Sequence, residues 1–563
     1  MYEKYRRDEK KYKLTVLKFT EKKEGISSVK HLFSAALCGF PSHGPKREPP
    51  FLAALLSRYG ALAYNNNKLA ICEKTLHDER SNTGMTRISL PTGFIYDVTD
   101  LYGDSCVTPA EVEAFAPTWC KSHRTIEKMR LTGVADGHLS KDGIPEKVRF
   151  FRLPYIDDAG INTPDRLTYI ESFAAAACRR VDAVVFYGVG GSYLGGKVLF
   201  DAHCGAAWNL LPHEERQGRP QIFFAGNNAD PRSLADLLRL FKSKSARNPG
   251  YTVMNVIVSK SGTTIEPMTG YMVMAEKLHA AGITNETVAV TAPAAGEGET
   301  LLHRLAREAG WPVFFIPDGI GGRFSVFSEA ALLLGAFIGF PVRDFLAGAR
   351  AMDDACRSDD IMQNPALMNA VLKFLAAKNH GRVTEVFMPY AECLKALSEW
   401  YVQLLAESLG KRFDRDGRQV NYGRTPIPAV GTTDMHAQTQ EHQDGPQDKV
   451  VQFVVLKHWP DDLAVPSTYV AETGLAPFCG LRLSDIMAAA CAANGTALAE
   501  DNRPSAVFEL PELNAFHLGE LMYMLCLSVA YEGELANVDA FDQPGVEIYK
   551  RHLKKTLKDL GKR

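Results

Sequence analysis

The segment SKSGTTIEP, residues 259–267, places four hydroxyls and a cation in one short run: Ser259, Ser261, Thr263, Thr264 and Lys260. It follows the apolar, β-branched stretch MNVIV and precedes a helical pattern, so it reads as a loop at a helix N-terminus. Hydroxyl and amide donors in that position suit a phosphate monoester dianion, and Gly262 permits the tight turn. Ser and Thr are also ordinary helix caps, but so dense a run behind an apolar strand exceeds what capping requires. A second loop, YGVGGSYLGG at 187–196, also follows an apolar run, and its glycines let backbone N–H groups approach a ligand. Its spacing is not that of a dinucleotide-binding loop. No GxxxxGKS/T loop occurs, which argues against nucleoside triphosphate hydrolysis. The two loops predict a site for one phosphate, with the bond-changing chemistry supplied by other residues.

The elements that must position these loops alternate. AVVFYG (183–188), QIFFAG (221–226), MNVIVS (254–259), TVAVTA (287–292) and PVFFIP (312–317) read as strands, with helical stretches between them. The alternation returns with VTEVFMPY (383–390), a long helical stretch ending near Ser408, and VVQFVVL (450–456). The fold class expected is α/β, with two doubly wound parallel-sheet units in three αβα layers. The expected divisions are an N-terminal extension packed on the core (1–144), a first α/β unit (145–340), a second (341–511) and a helical C-terminal segment (512–563).

At 563 residues the chain has material for two or three domains, and its 46% hydrophobic and 23% charged content is ordinary for a globular protein. A net charge of −2 removes any general electrostatic case for nucleic acid. The 11 cysteines are scattered without a CxxC pair, predicting free thiols in a reducing compartment, with neither a disulfide framework nor a thiolate zinc site. The opening run MYEKYRRDEKKYKL has no apolar core, and the longest greasy stretch, 330–342, is too short to span a bilayer. The expected compartment is the cytoplasm, with no membrane partner.

Five segments, taken in order, carry a resemblance. SKSGTT resembles the phosphate loop of sugar-isomerase (SIS) domains. DGIGGRFSV (318–326) and FDQPGVEIYK (541–550) resemble the two signature segments of the glucose-6-phosphate isomerase family. QLLAESLGK (403–411) and GTTDMHAQ (431–438) resemble that family's catalytic glutamate and histidine segments. The wording is closer to the shorter bacterial branch than to the animal-type SKTFTT, GTNGQH and FDQWGVE, and the long N-terminal part departs from that branch.

The resemblance implies two SIS-type units and reversible conversion of glucose 6-phosphate to fructose 6-phosphate, in glycolysis and gluconeogenesis, without cofactor or metal. It implies Glu407 as the base that moves a proton between C2 and C1; Trp400, Tyr401, Leu404 and Leu405 offer an apolar surround that would keep a carboxylate basic. Arg323 would stabilise the enediolate, with a structural pairing to Asp318 possible as well. His436 and Lys550 would open the sugar ring, whereas the nearby His442 reads as structural. Gly191, Ser192, Ser259, Lys260, Ser261, Thr264, Gln403 and Gln543 would bind substrate, and Glu266 is a helix-start acid. The family contributes its histidine across a subunit interface, which implies at least a homodimer.

Three alternatives stand beside this reading. One is an isomerase that also accepts mannose 6-phosphate. Another is a non-catalytic sugar-phosphate sensor, which would need the loops but not Glu407, His436 and Lys550. The third, a glutamine-dependent aminotransferase, would need a Cys directly after Met1, where Tyr2 stands.

Overall fold

The computed structural model describes residues 86–562, apart from 104–105, 140–142 and 295–297 and the side chains of 136–139. Residues 1–85 of the expected N-terminal extension lie outside the described residues, its Pro-rich run included.

Two sheets form the frame. The first holds Gln221–Ala225, Ala183–Tyr187, Thr252–Val258, Thr284–Thr291 and Val313–Phe315 side by side in that order, all parallel. Ala183–Tyr187 and Thr252–Val258 are buried at every residue, as central strands covered on both faces must be. Numbered along the chain, the order is 2-1-3-4-5. It reverses direction between the first and third strands, so the loops leaving their carboxyl ends diverge and open a crevice. Those two loops are the Gly-rich run after Tyr187 and the hydroxyl-rich run after Val258.

The second sheet repeats the arrangement. Ser505–Glu512, Lys449–His458, Thr384–Pro389 and Thr425–Pro428 lie parallel in that order, which is 4-3-1-2 along the chain. A hairpin of Arg87–Ser89 and Ile95–Asp97 extends it antiparallel to Ser505–Glu512, pairing Phe508 with Tyr96. Residues ahead of 145 thus help to build the sheet of the later α/β unit. The structure is mixed α/β with parallel sheets, as the alternation of runs implied.

Every run read as a strand is one, within a few residues. Four strands of the second sheet, Arg87–Ser89 and the three that follow, have no clear signal in the sequence for local reasons. Thr425–Pro428 contains Pro426 and Pro428, which an edge strand tolerates because one side of its backbone needs no partner. Ser505–Glu512 is interrupted by Pro511 and two glutamates, and Ile95–Asp97 is too short to show a period.

The helix Lys395–Leu409 bridges the second sheet and the site. Its Leu397, Trp400, Tyr401, Leu404, Leu405 and Ser408 recur at helical spacing and are buried. Tyr401 is pinned from behind by a buried ionic set. Its hydroxyl donates to Glu385 at 2.5 Å and accepts from Lys373 at 2.7 Å. Arg424 joins Glu385 to Glu532 of the buried helix Ala515–Leu535. Among the described residues no helix is long and apolar enough to cross a membrane.

Candidate functional site

The Gly-rich loop ends where the helix Gly191–Cys204 begins, and Gly190 caps it with a φ of 58° and no side-chain hydrogen bond. Space, more than flexibility, dictates the next residue. A Cβ on Gly191 would stand 2.0 Å from the Gly322 carbonyl oxygen and 2.7 Å from the Arg323 nitrogen. The helix N-terminus is therefore pressed against the turn that carries Arg323. A Cβ on Gly190 would come within 2.9 Å of the Gln403 amide nitrogen, which brings the Lys395–Leu409 helix to the same loop. Ser192 is half-buried in the first turn. Gly191→Ala is expected to destabilise the fold by about 1–3 kcal/mol, because backbone cannot yield as a side chain would. Urea unfolding of the variant measures this, and an unchanged midpoint would refute the close approach.

The hydroxyl-rich loop is ordered from within. Ser259 is buried; its Oγ accepts from Gly262 N at 3.1 Å and lies 2.9 Å from Thr264 Oγ1. Ser261 Oγ is 3.3 Å from the same hydroxyl. Thr264 is the N-cap of the helix Ile265–Ala280, yet its side chain does not cap it, being turned to Ser259 and Ser261. The positive end of a 16-residue helix thus opens beside the exposed Ser261 and Thr263, an arrangement suited to a dianion. Glu266 lies in that helix's first turn. Lys260 is largely withdrawn from solvent, and burial lowers the pKa of its ammonium. It donates to the Ile320 carbonyl at 3.0 Å, tying this loop to the segment leading to Arg323, and two of its three donors remain.

Arg323 and Glu407 form the centre. The Gly321–Gly322 turn carries Arg323 inward until it is 1% exposed. Its Nε donates to Ser408 Oγ at 2.6 Å, and its Nη2 to the carbonyls of Ala540 at 2.6 Å and Asp542 at 3.1 Å. Nη1 donates to Gln543 Oε1 at 3.0 Å and stands 3.6 Å from Glu407 Oε1. Burial lowers the guanidinium's pKa from its ordinary value, and the charges of Glu407 and Asp542 oppose that shift. Four bonds hold the group, and one edge is left facing the carboxylate. Glu407 is partly open to solvent, and its Oε2 accepts from Gln403 Nε2 at 2.8 Å. Gln403 Oε1 is buried with no hydrogen-bond partner among the described residues.

Asp318 is not the partner of Arg323. It bonds Lys147 at 2.9 Å on the exposed side of the turn, and that bond holds its carboxyl below the usual range. The two glycines send Arg323 the other way, into the protein.

Two candidates, His436 and Lys550, make no hydrogen bond or ion pair to this centre. His436 ends the short 3-10 helix Thr433–His436, is exposed, and its side chain makes no hydrogen bond or ion pair among the described residues. Lys550 lies on the helix Pro544–Leu560, half exposed and paired with Glu547 one turn back at 3.0 Å. His442 is buried, which lowers its pKa. Two residues at the centre were not anticipated from sequence, Ser408 and Lys411. Lys411 stands four residues after Glu407 just beyond a helix end, where a cation meets unpaired carbonyls; that position was its only signal.

A family model described as phosphoglucose isomerase matches residues 168–563. A glucose-6-phosphate isomerase of Carboxydothermus hydrogenoformans is 35% identical over 405 residues, covering 71% of this chain and 83% of the relative. One from Rubrobacter xylanophilus is 38% identical over 372 residues, covering 65% and 80%. Among solved structures, a hypothetical protein of Thermus thermophilus matches with a TM-score of 0.68 at 29% identity, covering 82% of this chain and 99% of that one. A glucose-6-phosphate isomerase of Chlamydia trachomatis reaches 0.70 at 23% identity, covering 89% and 97%, a likeness of fold alone.

Proposed function

The chain belongs to the phosphoglucose isomerase family and is an aldose–ketose isomerase of glucose 6-phosphate and fructose 6-phosphate; we propose that Glu407 is its base and Arg323 its enediolate-stabilising cation. The observation that carries this reading is the pair itself. A carboxylate held by Gln403 stands 3.6 Å from a buried guanidinium, beside two loops built to receive a phosphate.

The hydroxyl-rich loop holds the phosphate through Ser261, Thr264 and the helix N-terminus, with Ser259 shaping the loop and Lys260 adding charge. Gly191 and Ser192 line the neighbouring crevice. After ring opening, Glu407 removes the proton from C2, and electrons move onto the carbonyl oxygen at C1. The enediolate lies against the Nη1 edge of Arg323. The O2 hydroxyl proton passes to O1, and Glu407 then returns its proton to C1 while O2 becomes the carbonyl oxygen, giving the ketose. Gln403 keeps the carboxylate in place through Nε2 and has Oε1 free for a sugar hydroxyl; Gln543 fixes Arg323. The reaction runs in either direction, as glycolysis and gluconeogenesis would use it. Nine free cysteines among the described residues support a reducing compartment, the cytoplasm.

Ring opening requires a proton at the ring oxygen, the role of His436 and Lys550. Both are exposed in the single chain, and Lys550 shares its helix with the exposed apolar residues Tyr549, Leu557 and Leu560. These observations support a homodimer in which His436 of the partner subunit completes the site. Glu407→Gln and His436→Ala, each inactive alone, are expected to recover about a quarter of wild-type activity after random mixing, because each heterodimer regains one of two sites. Glucose 6-phosphate turnover after subunit exchange measures this; no recovery would mean that the histidine serves its own chain.

A further inference from the structure

Glu407 stands in the last turn of its helix, which ends at Leu409. Carbonyls of a last turn have no partner within the helix, and such turns fray. A base there is held in place only if something outside the helix pins it. The Ala406 carbonyl is satisfied by the Gly410 amide, but the Glu407 carbonyl is not satisfied that way. It accepts instead from Lys411 Nζ at 2.8 Å.

The same ammonium reaches further. It donates to the Asp542 carbonyl at 3.0 Å and pairs with the Asp542 carboxylate at 3.4 Å. Arg323 also donates to that carbonyl. The contacts therefore close a ring: Glu407 backbone to Lys411, Lys411 to Asp542, Asp542 to Arg323, and Arg323 back to the Glu407 carboxylate. Lys411 is 4% exposed, and burial lowers the pKa of its ammonium. Its backbone is also paired in a hairpin, Lys411–Phe413 with Gln419–Tyr422, which anchors it from outside the helix it pins.

We propose that Lys411 is a positioning residue for catalysis, which holds the last helical turn so that the Glu407 carboxylate stays in register with Arg323. The inference rests on reading Glu407 as the base. It goes beyond that reading by assigning the lysine a part in turnover distinct from stability.

Lys411→Met and Lys411→Arg, measured with Glu407→Gln alongside, provide the test. Lys411→Met is expected to lower kcat about ten- to a hundred-fold, the scale of a misplaced reacting group, with KM changed less than about two-fold because the phosphate loops are untouched. Lys411→Arg, which keeps a charged donor, is expected to restore most of kcat. Should Lys411→Met fail to fold, Lys411→Gln, which keeps a donor without the charge, decides the matter by the same split. A purely structural lysine would lower the unfolding midpoint and leave kcat per folded enzyme unchanged, which overturns the proposal. With Glu407→Gln inactive, that outcome sinks the clamp alone; with Glu407→Gln active, the base assignment falls and the clamp with it.

Discussion

Glu407→Gln should abolish isomerisation while the protein still folds and still binds a sugar phosphate. The amide keeps the volume of the carboxylate but cannot accept a proton from carbon, so kcat is expected to fall by about 10³-fold or more. Little else should change. Gln403 can still donate to the new amide's oxygen, and Arg323 keeps Ser408, Gln543 and the carbonyls of Ala540 and Asp542. The hydroxyl-rich loop has no hydrogen bond to Glu407, so affinity for sorbitol 6-phosphate, which has no carbonyl to isomerise, should match wild type. A coupled assay from fructose 6-phosphate and a calorimetric titration give the two readouts. Turnover within ten-fold of wild type would remove Glu407 from the role of base.

Arg323→Lys should damage both stability and rate. A guanidinium offers five donors in a planar fork; an ammonium offers three from a single point. The side chain is 1% exposed, and its four bonded partners lie on two segments far apart in sequence, Ser408 on one and Ala540, Asp542 and Gln543 on the other. A lysine cannot reach them all, and each buried acceptor left alone costs about 1–3 kcal/mol. The expected loss is about 3–5 kcal/mol, as for other broken buried charge clusters. Turnover should fall about 10²–10³-fold, the scale of losing a preorganised donor at a developing oxyanion. Urea unfolding and kcat, measured on the same preparation, test both. Wild-type values in both would show that the fork is not needed.

The parts of the site that the sequence revealed are those whose meaning is local. A loop such as 259–264 declares itself because donors, turn and following helix are contiguous, and its neighbours Ser259, Ser261 and Thr264 do bond one another. Partnerships are different. Arg323 had a near candidate in Asp318, five residues away, yet the Gly321–Gly322 turn points the two side chains apart. The true partner, Glu407, lies on another sheet's helix, and nothing in either segment names the other. Ser408 and Lys411 carry no sign of their role within their own segment, since a small hydroxyl and a lysine at a helix end are commonplace until their partners are visible.

The seven strands read from apolar runs and the donor chemistry of the two loops follow from residue types and their periods, which act over a few residues; the reversal that places those loops at one crevice is seen only in the sheet. Tertiary structure alone decided that Gly191 must lack a side chain, because the Gly322 carbonyl occupies its place. It also decided that Gln543 and Ser408 hold the guanidinium, and that His436 and Lys550 stand exposed within one chain. The division has one cause. Backbone propensity and phosphate recognition are short-range, whereas a buried ion pair depends on packing between segments far apart in sequence.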